Sequence, residues 1–153
     1  MATITTFVDG DAVPKALQNQ PITLCKICDL SKLAAAPAAL DVVQLARIPD
    51  DAFIKVLAVV NITADTSLTD MDIGITGVDA NGFDDAVSMA NAINAANTNG
   101  VAMPASGTDQ FANGYVNING DDTIDAVLTS GSTGDGKLAL FYQVVGLGSA
   151  SLG

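Results

Sequence analysis

Histidine, glutamate and tryptophan are absent from this 153-residue chain, and all 17 acidic residues are aspartate. Histidine is the side chain that exchanges protons near neutrality, and glutamate is its usual substitute. Their joint absence excludes most acid–base, triad and zinc mechanisms, so no catalytic residue and no cofactor is expected. Cations are also scarce. The six are Lys15, Lys26, Lys32, Arg47, Lys55 and Lys137, which leaves a net charge of −11. Five of the six precede residue 56, so the rest of the chain is almost purely anionic. Binding to a phosphate backbone draws its energy from counterion release by Lys and Arg. Nucleic acid is therefore not an expected partner, and the same field repels anionic lipid. No run approaches the ~20 apolar residues of a membrane span. The longest, 33–40, is mostly alanine and contains Pro37. The opening MATITTFVDGDAV has no basic n-region and no long apolar core, so it is not a secretory signal, and synthesis in a cytoplasm is expected.

What is present is material for strands and turns. The apolar content of 49% is that of a globular protein, and a chain of this length buries roughly two-thirds of its unfolded surface. Residues 1–20 read as an extended N-terminal arm, 21–147 as one β-sandwich domain and 148–153 as a flexible tail. Strands are expected over 22–30, 40–48 and 52–62. In the last, Ala52, Ile54, Val56, Ala58, Val60 and Ile62 form one apolar face. Over 69–76, Met71, Ile73 and Ile75 alternate with Asp70 and Asp72, the pattern of a strand with one wet face. Residues 84–97 place Ala86, Met89, Ala90, Ile93 and Ala96 at helical spacing behind Asp84 as N-cap, so a short helix and an ordered loop both remain open. Residues 115–118 run into Asn119-Gly120-Asp121-Asp122, a hairpin-type turn. Strands over 123–129 and 138–145 follow, separated by a Gly/Ser stretch at 130–136 that reads as an exposed hairpin tip. Seven to eight short strands with at most one short helix define an all-β protein, an antiparallel β-sandwich of jelly-roll-like kind.

Two constellations invite chemistry. Cys25 and Cys28 form a CxxC, but positions i and i+3 of a strand face opposite ways, so separate packing cysteines are expected. The aspartates occur in near-pairs, and Asp70, Asp72, Asp121 and Asp122 are weak calcium candidates, since hard cations favour such oxygens. The fixed spacing and bidentate glutamate of a calcium loop are missing, and most pairs fall at turns, where aspartate bonds its own backbone. No metal site is therefore expected.

The phrases DVVQLARIPDDAFIKVLAVVNITADTSLTDMDIGITG (41–77) and GYVNINGDDTIDAVLTSGSTGDGKLALFYQVV (114–145), with the opening MATITTFVDGDAV, resemble small virion structural proteins of tailed bacteriophages. The likeness covers about two-thirds of the chain; 83–111 has no counterpart. It implies a capsid decoration, or cement, protein made in the host cytoplasm and located on the virion surface. Its partners would be the major capsid protein and further copies of itself, in a homo-oligomer such as a trimer. Strand addition by the arm is one way to reach a neighbour, which makes Ile4, Phe7, Val8 and Val13 the candidate interface residues. A tail, neck or head-fibre component is the first alternative. A carbohydrate- or cell-surface-binding module is the second, with only two Tyr and five Phe for a stacking platform.

Overall fold

The computed structural model describes residues 3–4, 20–90, 101–102, 110–111, 113–118 and 120–147. Among them are ten strands: β1 (Thr3–Ile4), β2 (Ile22–Asp29), β3 (Val42–Ile48), β4 (Ala52–Thr63), β5 (Met71–Ile75), β6 (Asp79–Val87), β7 (Val101–Ala102), β8 (Tyr115–Asn117), β9 (Asp122–Leu128) and β10 (Lys137–Gly146). The only helical piece described is a 3₁₀ turn at Leu30–Lys32, capped by the Asp29 carboxylate on the Ser31 amide. One sheet runs β1-β3-β9-β5-β6; the other runs β2-β10-β4-β7, with β8 also on β4.

The pairing is nested. β2 pairs with β10, β3 with β9, β4 with β8 and β5 with β6, every pair antiparallel. The chain is thus one long hairpin, with its tip between β5 and β6, wrapped into two facing sheets. That is the jelly-roll connection. The short β1 adds to the open edge of β3 in parallel, Thr3 beside Val42 and Ile4 beside Val43.

Alternation explains the core. Leu138, Leu140, Tyr142 and Val144 of β10 are buried, and so are Ile124, Ala126 and Leu128 of β9 and Met71, Ile73 and Ile75 of β5. Each fully buried large side chain contributes about 1.5–3 kcal/mol. Phe111, outside the strands, closes one end of this core. Its ring lies 5.2 Å from Phe83 and 4.7 Å from Tyr115, both tilted, a favoured aromatic geometry. It occupies the space where a side chain on Gly82 would be, and its amide donates to the Gly82 carbonyl at 2.6 Å.

Four expectations need correction. The apolar face of β4 does not run through to Ile62. Register shifts between Phe141 and Tyr142, where Leu57 is left without a partner, so Val59 and Asn61 turn inward and Ala58, Val60 and Ile62 outward. Asp84 caps no helix: it lies within β6, and residues 91–97 fall outside the described set. The turn at 119–122 makes no hairpin, because β8 joins β4 while β9 joins β3 and β5 in the other sheet. The stretch 130–136 is no free tip either, since it carries the chain from β9 across to β10 and is tied down on the way. The Ser132 amide donates to Pro37 at 3.0 Å, and the Gly136 carbonyl accepts from Leu30 at 2.9 Å.

Candidate functional site

The aspartates act first on the chain's own turns. Asp50 Oδ1 accepts from the amides of Asp51 (2.9 Å) and Gly120 (3.0 Å), and Asp121 Oδ1 accepts from the Asp50 amide at 3.1 Å. Buried Asn117 adds Nδ2 bonds to the carbonyls of Pro49 (2.8 Å) and Gly120 (2.9 Å). Together they stitch the β3–β4 turn to the β8–β9 turn, with Asp51 in the left-handed region at φ 54°.

Asp65 is a larger hub. Almost wholly buried, it accepts from the amides of Ser67, Leu68, Thr133 and Gly134 and from the hydroxyls of Ser132 and Thr133. Burial alone would push its carboxyl up. The bonds from Ser132, Thr133 and Ser67 outweigh that and hold it below the usual carboxylate value. This is what pins 130–136. The local bonds to Ser67 and Leu68 are those of an ordinary aspartate turn, and no local signal marks the hub, because its partners in 130–136 lie 67 to 69 positions away.

The calcium candidates do not converge. Asp70 precedes β5, and its backbone carbonyl accepts from Thr129 (3.1 Å) and Ser130 (3.3 Å) beyond the far end of β9. Asp72 stands on the outer face beside Val127. Asp121 and Asp122 sit at the other end of β9, roughly 15–20 Å away at ~3.4 Å per residue. That end borders an open groove of about 260 Å³ lined by Gln44, Arg47, Asp121, Asp122 and Thr123. The Arg47 guanidinium in the same groove opposes a second cation. No group of three or more Cys or Asp able to hold a metal occurs among the described residues. Cys25 is exposed and Cys28 buried, its thiol donating to the Leu45 carbonyl at 3.6 Å, so the two face apart.

Asp125 is the other buried carboxylate of note. Burial pushes it up, bonds from Thr123 and Thr76 pull it back in part, and the neighbouring Asp122 charge adds to the rise. A raised folded-state value means that stability is lost as pH climbs from the usual 3.8 through that higher value. Asp125→Asn, which keeps an acceptor for the Thr76 amide (3.2 Å), is expected to stabilise the fold by about 1 kcal/mol at pH 7 and to flatten that slope. Urea denaturation across pH 4–8 checks this, and an Asn variant less stable than wild type at pH 7 would refute it.

The two sheets differ on their outer faces. β5 presents half-buried Asp72 and β6 exposed Asp85, while Asp125 of β9 is buried. The β2-β10-β4 sheet presents Ile27 beside Ala139 and Val60, Cys25 beside Phe141 and Ala58, and Phe53 beside Val145 and Val116. Of the interface candidates, Ile4 lies in β1, while Phe7, Val8 and Val13 fall outside the described residues.

Fold and sites together define a jelly-roll β-sandwich in which Asp50, Asp65 and Asp121 bond the chain's own turns. The same fold recurs in bacteriophage capsids. A chain of the Ralstonia phage GP4 capsid superposes with a TM-score of 0.68 at 18% identity, over 94% of this chain and 97% of that one. A chain of the cyanophage Pam1 capsid asymmetric unit gives 0.58 at 13%, over 87% and 89%. One of the acid-stable capsid of Helicobacter pylori bacteriophage KHP30 gives 0.50 at 13%, over 82% and 90%. No family model and no curated protein matches the sequence.

Proposed function

We propose that this chain is a non-enzymatic virion structural protein of a tailed bacteriophage, a decoration or cement protein that lies on the capsid surface and bridges capsomers of the major capsid protein. The observation that carries the reading is the likeness, end to end in both chains, to components of phage capsids. The neighbours match in length as well as in fold, so the whole chain, not one module, corresponds. Composition supports a role without chemistry: a chain lacking histidine and glutamate holds a particle together by surface complementarity. Its acidic character keeps particles dispersed.

β1 supports one mode of attachment. The two-residue strand Thr3–Ile4 pairs with the β3 edge of its own chain, which supports the same kind of pairing with a neighbour, since strand addition is a general way of engaging one.

The test is quantitative peptide mass spectrometry on density-gradient-purified particles. A copy number comparable to that of the major shell protein is the expected result. A copy number far below it assigns the chain to the tail, neck or a head fibre. Absence from particles overturns the reading and brings glycan binding forward.

A further inference from the structure

We infer that the outer face of the β2-β10-β4-β8 sheet is where one copy of this chain packs against another. Three observations converge on that face. It is apolar in rows that cross the sheet: Ile27–Ala139–Val60, Cys25–Phe141–Ala58 and Val145–Phe53–Val116. The rows are interrupted by one polar row, Thr23–Gln143–Lys55. Large side chains on it are open to solvent, Ile27 at 44%, Ile62 at 39% and Val116 at 47%, with Ile118 at 63% continuing the β8 alternation. Between these open positions Phe53, Ala58, Val60, Phe141 and Val145 are half-buried, and apolar rows of this kind mark an interaction surface, whereas single exposed apolar residues do not.

Charge names the occupant. In a chain of net −11, this face carries only Lys55 and the Asp29–Lys137 ion pair, closed at 3.2 Å. Two copies repel each other over their acidic surfaces, and the opposite sheet face, with half-buried Asp72 and exposed Asp85, is one of those. Apposing the two carboxylate-poor faces buries apolar surface on both sides and keeps the acidic faces outermost and apart. The extent fits a weak, concentration-dependent contact: the long β2, β10 and β4 with the three-residue β8 beside them, ~4.8 Å apart, cover on the order of 500 Å², just below the ~600 Å² per partner at which stable interfaces begin. Edge-to-edge pairing through β2 is less suited, since Lys26 lies at the middle of that strand on its inward side, a placement that discourages edge addition.

The inference stands apart from the head-surface reading, because it concerns the free protein and particle proteomics does not bear on it. Sedimentation velocity from low to high micromolar protein tests it, together with the alkylation rate of Cys25, the exposed thiol on this face. Wild type is expected to associate with rising concentration, and Cys25 to become slower to label as it does. Ile27→Asp with Val116→Asp is expected to weaken association on the order of tenfold or more and to restore fast labelling, with an unchanged circular dichroism spectrum. Asp72→Asn, on the other face, is expected to leave association intact. A wild type that stays monomeric throughout overturns the proposal, and so does an oligomer whose Cys25 labels at the monomer rate. A monomeric wild type whose Asp variant fails to bind purified particles overturns it in favour of the shell as occupant.

Discussion

Asp65→Ala is expected to cost about 3–5 kcal/mol, a large part of the ~5–15 kcal/mol that holds a domain of this size together. Six donors converge on that carboxylate, four from backbone amides and two from hydroxyls, at 2.5–3.3 Å. Truncation leaves them facing a small void in a nearly dry site, and an unmatched buried donor costs more than a made bond contributes. The loss also spreads. Asp65 joins the turn after β4 to the β9–β10 connection, and its own amide donates to Met89 at 2.9 Å. Three segments far apart in sequence would loosen together. Asp65→Asn keeps the shape but surrenders the charge and one acceptor, so an intermediate loss is expected. The acid limb separates charge from shape. The folded carboxyl titrates below the usual 3.8, so its stabilisation is full above pH 3.8 and disappears as pH falls through the folded value. Wild type should lose this contribution below pH 3.8, and the Asn variant should show no such step. Guanidinium melts at pH 7 and pH 3 decide it; an Ala variant within about 1 kcal/mol of wild type at pH 7 would show that the hub is not structural.

Gly74→Ala is expected to cost about 3 kcal/mol, near the upper end for overpacking. A Cβ at this position meets the Asp79 carbonyl oxygen and the Ala80 carbonyl group, all of it backbone. A side chain in the way swings aside, but backbone yields only if β6 is lifted from β5, where the register already shifts on both sides of Ile73. Gly77→Ala is the control. Gly77 has φ +90° and open space around it, so only conformational strain of about 1 kcal/mol is at stake. A midpoint shift larger at Gly77 than at Gly74, with equal m-values, would mean that the two strands are not in such close contact.

Much of this architecture was legible from residue order, and the failures share one cause. Period-two patterning in 71–75, 124–128 and 138–144 found three strands and their inward faces, because alternation is local. The bulge in β4 escaped it, since nothing within 52–62 says that Phe141 and Tyr142 on the facing strand force a residue out of step. The Asn119–Asp122 turn chemistry reads as a hairpin, but turn residues do not say which sheet the next strand enters, and β9 enters the other one. The Gly/Ser stretch 130–136 looked free because its anchor is a single aspartate far upstream. The candidate interface divides the same way. Exposed Ile27 and Val116 and the half-buried apolar residues at 53, 58, 60, 141 and 145 look scattered along the chain, and only the register of four strands gathers them. In the calcium candidates the sequence showed the pairing of aspartates but not the length of β9 that keeps the two pairs apart.

The nested pairing also sets a timetable. Thr23 and Gln143 meet across 120 positions, and β10 must slot between β2 and β4 to complete its sheet. Contacts of such separation are entropically expensive to form first, so folding should be slow, in the millisecond-to-second range or beyond. Until β10 arrives, β2 and β4 both stand with open edges. Once seated, it is bonded to β4 along ten residues and to β2 along eight of them, and pulling it out breaks two ladders at once. A molecule that is slow to close is for the same reason slow to open, so its lifetime in the folded state should exceed what its equilibrium stability alone would suggest.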